Sequence, residues 1–277
     1  MESAIQLAEW IQFLLLGLIQ GITEPIPVSS SGHLVLAQHF LGLESEGLTF
    51  EILVNFASLF AVIFIYRNDL FRLIGGALKY LQTRKPEYES DFRFWVYLVI
   101  ATVPAAIAGL LLEDWIATQS SHIGVIAVAL LVTGVALFII RKLKGKKTES
   151  QITMKEVIIV GLAQMVALLP GISRSGATIV AAMGVGWTRE TALRFSFFLY
   201  IPVSLGSGIL ALRDVFSDPA IAEKAFPYSI AFVASLVASY FALKIFINIM
   251  KSGKLIYFSI YCFIVGFGVL AYLAMIS

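Results

Sequence analysis

The chain has 277 residues, 59% of them hydrophobic and 14% charged, with a formal net charge of +2. A soluble globular domain is about 45–50% apolar and about 25% charged, so this composition points to a membrane protein with no separate soluble domain. The small net charge argues against a nucleic-acid partner, and the single cysteine, Cys262, lies in an apolar run where a thiol serves as a small hydrophobe.

Residues 1–10 carry two acids and no base, unlike a cleaved signal peptide, so the first apolar segment is expected to be retained. Six stretches are long enough to span a bilayer: 48–66, 94–112, 123–140, 191–212, 229–249 and 255–276. Regions 8–40 and 157–185 are apolar but interrupted, the first by Glu24-Pro25-Ile26-Pro27 and its serines, the second by Pro170-Gly171 and Ser173-Arg174-Ser175-Gly176. Proline ends or kinks a helix, and each arm of these regions, as read from the sequence, is too short to cross alone. Both regions are therefore expected to be re-entrant helix pairs, because broken backbone is tolerated at membrane depth only inside protein or along a cavity.

Charge gives an independent topology. Residues 1–66 hold no Lys or Arg, whereas the 67–93 and 141–155 segments hold six each and 113–122 none. Basic loops face the cytoplasm, which places both termini outside; only the 213–228 loop is ambiguous.

The chain also repeats itself. Gly17-Leu18-Ile19-Gln20 recurs as Gly161-Leu162-Ala163-Gln164, and Ser29-Ser30-Ser31-Gly32 as Ser173-Arg174-Ser175-Gly176, both at an offset of 144. The expected fold is an all-α polytopic membrane protein. Six transmembrane helices and two re-entrant pairs form one domain over 1–277, as an inverted-topology repeat (about 1–140 and about 155–277). Such folds place broken helices at the midplane.

An arginine at membrane depth is a functional-site hypothesis by default; the structural reading of Arg174 is a cation paired with an acid. Ser173 and Ser175 suit a helix cap, Gly176 admits a ligand close to the backbone, and Thr178 lies in the helix that follows, so this break resembles an anion site. In the other break Gln20 and Glu24 share a helix face, and Ser29, Ser30 and Ser31 open a helix carrying His33. At least one serine is expected to be a plain cap. The set offers a nucleophile (Ser30), a base or metal-binding carboxylate (Glu24), an acid/base imidazole (His33) and a cationic clamp (Arg174). That set suits phosphoryl transfer, where positioning and charge stabilisation do most of the work. With one carboxylate in view, a two-metal site is not expected. One Mg²⁺ or Ca²⁺ shared between Glu24 and a diphosphate is the cofactor expectation.

These motifs, Q-G-I-T-E (20–24), P-V-S-S-S-G-H (27–33) and P-G-I-S-R-S-G-A-T (170–178), resemble those of the bacitracin-resistance family, the undecaprenyl pyrophosphate phosphatases. The resemblance extends to T-F-E (49–51) and F-S-F-x-L-x-x-P (195–202) and covers nearly the whole chain. It implies removal of the terminal phosphate of a C55 polyprenyl pyrophosphate, which recycles the cell-wall carrier lipid. It also implies a plasma-membrane site opening outward, with Glu24, Ser30, His33 and Arg174 as the catalytic set. Gln20, Ser29, Ser31, Ser173, Ser175, Gly176 and Thr178 are expected at the substrate, and a homodimer is a further expectation. Gln20 stands where many members carry Glu, which puts the weight of base chemistry on Glu24. A phosphoserine intermediate and direct water attack both remain open. The competing reading is a lipid-phosphate transporter on the same inverted-repeat architecture. The type-2 phosphatidic-acid phosphatases, which share S-G-H, are rejected because Val180 stands where their motif needs His.

Overall fold

A computed structural model describes residues 2–42, 47–120, 122–217 and 224–276. The elements are α1 (Glu2–Thr23), α2 (Ser30–Leu41), α3 (Gly47–Thr83), α4 (Glu89–Leu111), α5 (Glu113–Ser120), α6 (Ile123–Ile140), α7 (Met154–Val166), α8 (Arg174–Gly184), α9 (Arg189–Ser217), α10 (Ala225–Ser252) and α11 (Ile256–Ile276). Of the ambiguous 213–228 loop, residues 218–223 lie outside the described residues. Among the described residues seven helices contain stretches long and apolar enough to cross a membrane, so the chain is an all-α, multi-pass membrane protein.

Six of those stretches match the expected spans, and the seventh is Ile5–Thr23. The first arm is longer than expected: α1 is long and apolar enough to span, by length and composition alone, although it leads into the break at Glu24. Its helix starts near the N-terminus and runs 22 residues, because Glu2 and Glu9 do not stop it. Helices α2, α7 and α8 have 12, 13 and 11 residues. At about 1.5 Å per residue they fall well short of a hydrocarbon core about 30 Å thick.

The packing pairs helices across the two halves of the chain. Helix α1 lies against α10, and α7 lies against α4. Gly17 and Gly161 make these contacts possible: a Cβ at either would fall within 3.0 Å of backbone, at Ala231 and Ala101 respectively. Small residues let helices approach closely in lipid, where packing and hydrogen bonds replace the hydrophobic drive. Helices α3 and α9 pair with each other, as do α6 and α11. The main core cluster runs between α4, α9 and α10 through Phe94, Phe195, Phe198 and Phe246. Between α3 and α10, Ser239 Oγ donates to Ser58 Oγ at 2.8 Å and Ser235 Oγ donates to the Val54 carbonyl at 2.7 Å.

Candidate active site

The two helix breaks are built alike. Ser29 caps α2 by accepting from the Gly32 N–H, and Ser173 caps α8 by accepting from the Gly176 N–H. Each break also braces the other: a Cβ on Gly32 would meet Gly171 Cα at 3.1 Å, and one on Gly176 would meet Pro27 at 3.4 Å. Gly171 holds φ +92 against the backbone of Ile126, a conformation and a space that only glycine fills. The breaks therefore meet tip to tip, with both α2 and α8 starting there.

At that meeting point Glu24 is the hub. Arg174 Nη2 donates to Glu24 Oε1, and Ser30 Oγ and Gln20 Nε2 donate to Oε2, the last at 3.0 Å. The acid partner foreseen for Arg174 is thus Glu24, from the opposite half of the chain. The Arg174 guanidinium also lies over the Tyr200 ring, 3.8 Å from its centroid. Tyr200 is fixed in turn, its hydroxyl donating to the Asn55 carbonyl at 2.7 Å. Ser204 Oγ donates to Asn55 Oδ1 at 3.0 Å. Arg174 is thus held by an ion pair on one side and a stacked ring on another, which fixes the plane of its fork. Ser29 adopts φ 69, a positive value that is uncommon outside glycine and costs of order 1–3 kcal/mol. The strain sits immediately before Ser30.

A cavity of about 240 Å³ opens over this cluster, walled by Glu24, Ser30, Glu51, Asn55, Arg174 and Tyr200 among others. It is smaller than the roughly 300–1,000 Å³ of sites that enclose a whole drug-sized ligand. It has room for a small polar group and not for a long lipid chain. Ser29, Ser31, Ser173 and Ser175 also line it, beside the apolar Ile52, Leu168, Ile172 and Val203.

Four expected site residues, Gln20, His33, Gly176 and Thr178, do not line the cavity. His33 Nδ1 lies 2.7 Å from the Ser29 carbonyl and its Nε2 2.8 Å from the Tyr261 hydroxyl, with the two rings stacked. Thr178 is buried against Ser196, and Gly176 serves the Ser173 cap. Conversely, Glu51, Asn55, Tyr200, Ser204 and Ser207 line the cavity without having been expected there. The reading of a single carboxylate is corrected: Glu51, from α3, is a second. A polar residue inside an apolar span was the available signal, and Glu51 and Asn55 repeat it at four-residue spacing on one helix face.

A second cavity, of about 320 Å³, contains Arg72, Arg93, Arg194, Asp91 and Glu149. Its cations are matched: Arg72 pairs with Asp91 at 2.9 Å, Arg194 pairs with Glu149, and Arg93 donates to the Ser150 carbonyl. Burial pushes the Glu149 carboxyl up, with Arg194 and Arg72 opposing. This cavity ties α3, α4 and α9 to the 141–153 segment.

The family model for Bacitracin resistance protein BacA matches residues 13–268. Undecaprenyl-diphosphatase 1 of Halalkalibacterium halodurans is 59% identical over 99% of this chain and 100% of its own length. Undecaprenyl-diphosphatase 1 of Bacillus licheniformis is 56% identical over 95% of this chain and 97% of its own. Undecaprenyl-diphosphatase of Oceanobacillus iheyensis is 51% identical over 95% and 96%. With a match of this extent and motifs that meet in one cavity, the chain belongs to the bacitracin resistance protein family.

Proposed function

We propose that this chain is an undecaprenyl-diphosphatase, a membrane hydrolase that releases the terminal phosphate of a polyprenyl diphosphate and so contributes to carrier-lipid recycling and bacitracin resistance. The observation that carries the mechanism is the contact of Ser30 Oγ with Glu24, whose other oxygen faces Arg174. A nucleophile hydrogen-bonded to a base, with the base oriented by a further group, is the arrangement that covalent catalysis requires.

In this mechanism the diphosphate enters the cavity while the isoprenoid stays in lipid along the apolar wall. Arg174 and the N-termini of α2 and α8 hold phosphate oxygens. Glu24 takes the Ser30 proton as Oγ attacks the terminal phosphorus, the bond to the bridging oxygen breaks, and polyprenyl monophosphate leaves. Gln20 orients Glu24 as a neutral donor. His33, held by Tyr261, steadies the first turn of α2. Ser31 and Ser175 line the phosphate pocket.

A divalent cation, Mg²⁺ or Ca²⁺, fits as a companion of the substrate rather than as a resident on Glu24. Both Glu24 oxygens already accept hydrogen bonds. Among the described residues no three His, Cys, Asp or Glu gather into a metal site.

The inverted repeat is supported by the reciprocal packing of α1 on α10 and α7 on α4. An outward-facing cavity is supported by α3, on which Glu51 lies 16 residues before Arg67, about 24 Å along the axis. The basic end of that helix is the cytoplasmic one, and both termini are then external.

The test is phosphate release by the purified protein from C55 and C15 diphosphates, beside lipid movement in vesicles. Phosphate release from the wild type, lost in Glu24→Ala and Arg174→Ala while the protein stays folded, is the expected result. Lipid movement without phosphate release would overturn it.

A further inference from the structure

Hydrolysis through a serine calls for a base twice, first for the serine and then for the water that later clears the phosphoserine. Glu24 serves the first. At the second it still carries the Ser30 proton, and Arg174 and Gln20 donate to its oxygens. Apart from Glu24, the cavity wall offers one other carboxylate, Glu51. Among the described residues Glu51 makes no hydrogen bond and no ion pair, although it is half-buried and shares the cavity with Ser30.

Its neighbours keep it so. One turn further along α3, Asn55 has its side-chain oxygen taken by Tyr200 and Ser204. The one cation of the cavity wall, Arg174, is paired with Glu24, not with Glu51, and is stacked on Tyr200. A carboxylate without a partner, in a pocket that receives a diphosphate, repels the substrate and contributes nothing to the cap, the core or the ion pair. It does suit a water molecule that must be deprotonated.

We infer that Glu51 is the general base of the second half-reaction. A water bound between Glu51 and the phosphoserine gives its proton to the Glu51 carboxylate while its oxygen attacks phosphorus. The P–Oγ bond breaks, Ser30 Oγ recovers the proton left on Glu24, and inorganic phosphate departs with the Glu51 proton returned to solvent. The inference rests on the Ser30–Glu24 reading above and assigns a separate residue to a separate step.

The experiment is single-turnover and steady-state kinetics of Glu51→Gln with a diphosphate labelled at the terminal phosphate, and intact-mass analysis of the quenched protein. General bases contribute about 10²–10⁴-fold. Steady-state phosphate release should therefore fall at least 100-fold, while a burst of polyprenyl monophosphate near one per enzyme persists. The label should accumulate on Ser30, and Ser30→Ala/Glu51→Gln should take up none. Glu51→Asp should recover part of the steady-state rate with less label trapped. A Glu51→Gln enzyme that turns over within threefold of wild type overturns the inference. So does one that loses the monophosphate burst together with phosphate release. Either outcome leaves the phosphatase reading standing, whereas a wild type that releases no phosphate defeats that reading itself.

Discussion

The two helix breaks share a scaffold and differ in chemistry. At matched positions, 144 residues apart, Ser29 and Ser173 both cap their helices, onto the Gly32 and Gly176 N–H, though only Ser29 does so at positive φ. Around those caps the matches fail: Glu24 faces Leu168 in the alignment of the repeats, Ser30 faces Arg174, and His33 faces Ala177. What the halves have in common builds the meeting point, and what they do not have in common does the work. A nucleophile and its base come from one half and the positive charge from the other, so the site exists only where the tips touch.

The sharpest way to break this comparison is to remove the unmatched groups. Arg174→Ala and Glu24→Gln should each lower kcat/KM for phosphate release by at least 10³-fold, measured with C55 diphosphate in detergent. Removing one partner of a buried pair costs roughly 3–5 kcal/mol, so a thermal-unfolding series should accompany the assay. Arg174→Lys keeps the charge and loses the fork, and should recover stability more than rate. Ser30→Ala should lose a similar factor in rate with little change in unfolding temperature, since a half-buried hydroxyl contributes little to packing.

Smaller effects belong to the matched groups. Ser29→Ala and Ser173→Ala should each cost about 1 kcal/mol of stability, the usual value of a lost N-cap. Each should also loosen the tip, with rate losses of about tenfold. His33→Gln, which keeps a donor and acceptor near Tyr261, should cost less than tenfold. A loss of 10³-fold there would return His33 to the chemistry.

The smallest effect lies far from the tips. Burial pushes the Glu156 carboxyl up, but hydrogen bonds from Lys147, the Thr153 N–H and Trp187 outweigh it and hold the pKa below its ordinary value near 4.5. A depressed carboxylate pKa gives stability that is present above the ordinary value and lost as pH falls through the lowered one. Unfolding temperature should thus decline below about pH 4.5 more steeply in wild type than in Glu156→Gln, with activity at neutral pH nearly equal in the two.

The sequence disclosed the tips because the bilayer makes their residues conspicuous. An Arg174 inside an apolar region, a Glu24 beside two prolines and a common offset of 144 have few explanations in lipid. Glu51 escaped because it stands at the mouth of an apolar span, where an acid reads as the rim of the membrane. Tyr200 escaped because an aromatic in the run 195–202 reads as core, and nothing local says that Arg174 will lie on its ring. The facing of His33 was set by Tyr261, 228 residues away. The true length of α1 was hidden by Glu2 and Glu9, which mark solvent without ending a helix.

The account stands or falls on Glu24 and Arg174 acting as one unit across the two halves. A double-mutant cycle on kcat/KM for phosphate release, with Glu24→Gln, Arg174→Lys and the double variant, measures this directly. A shared unit predicts that the double variant is within about threefold of the worse single one. Losses that multiply, as for independent sites, would contradict the composite site.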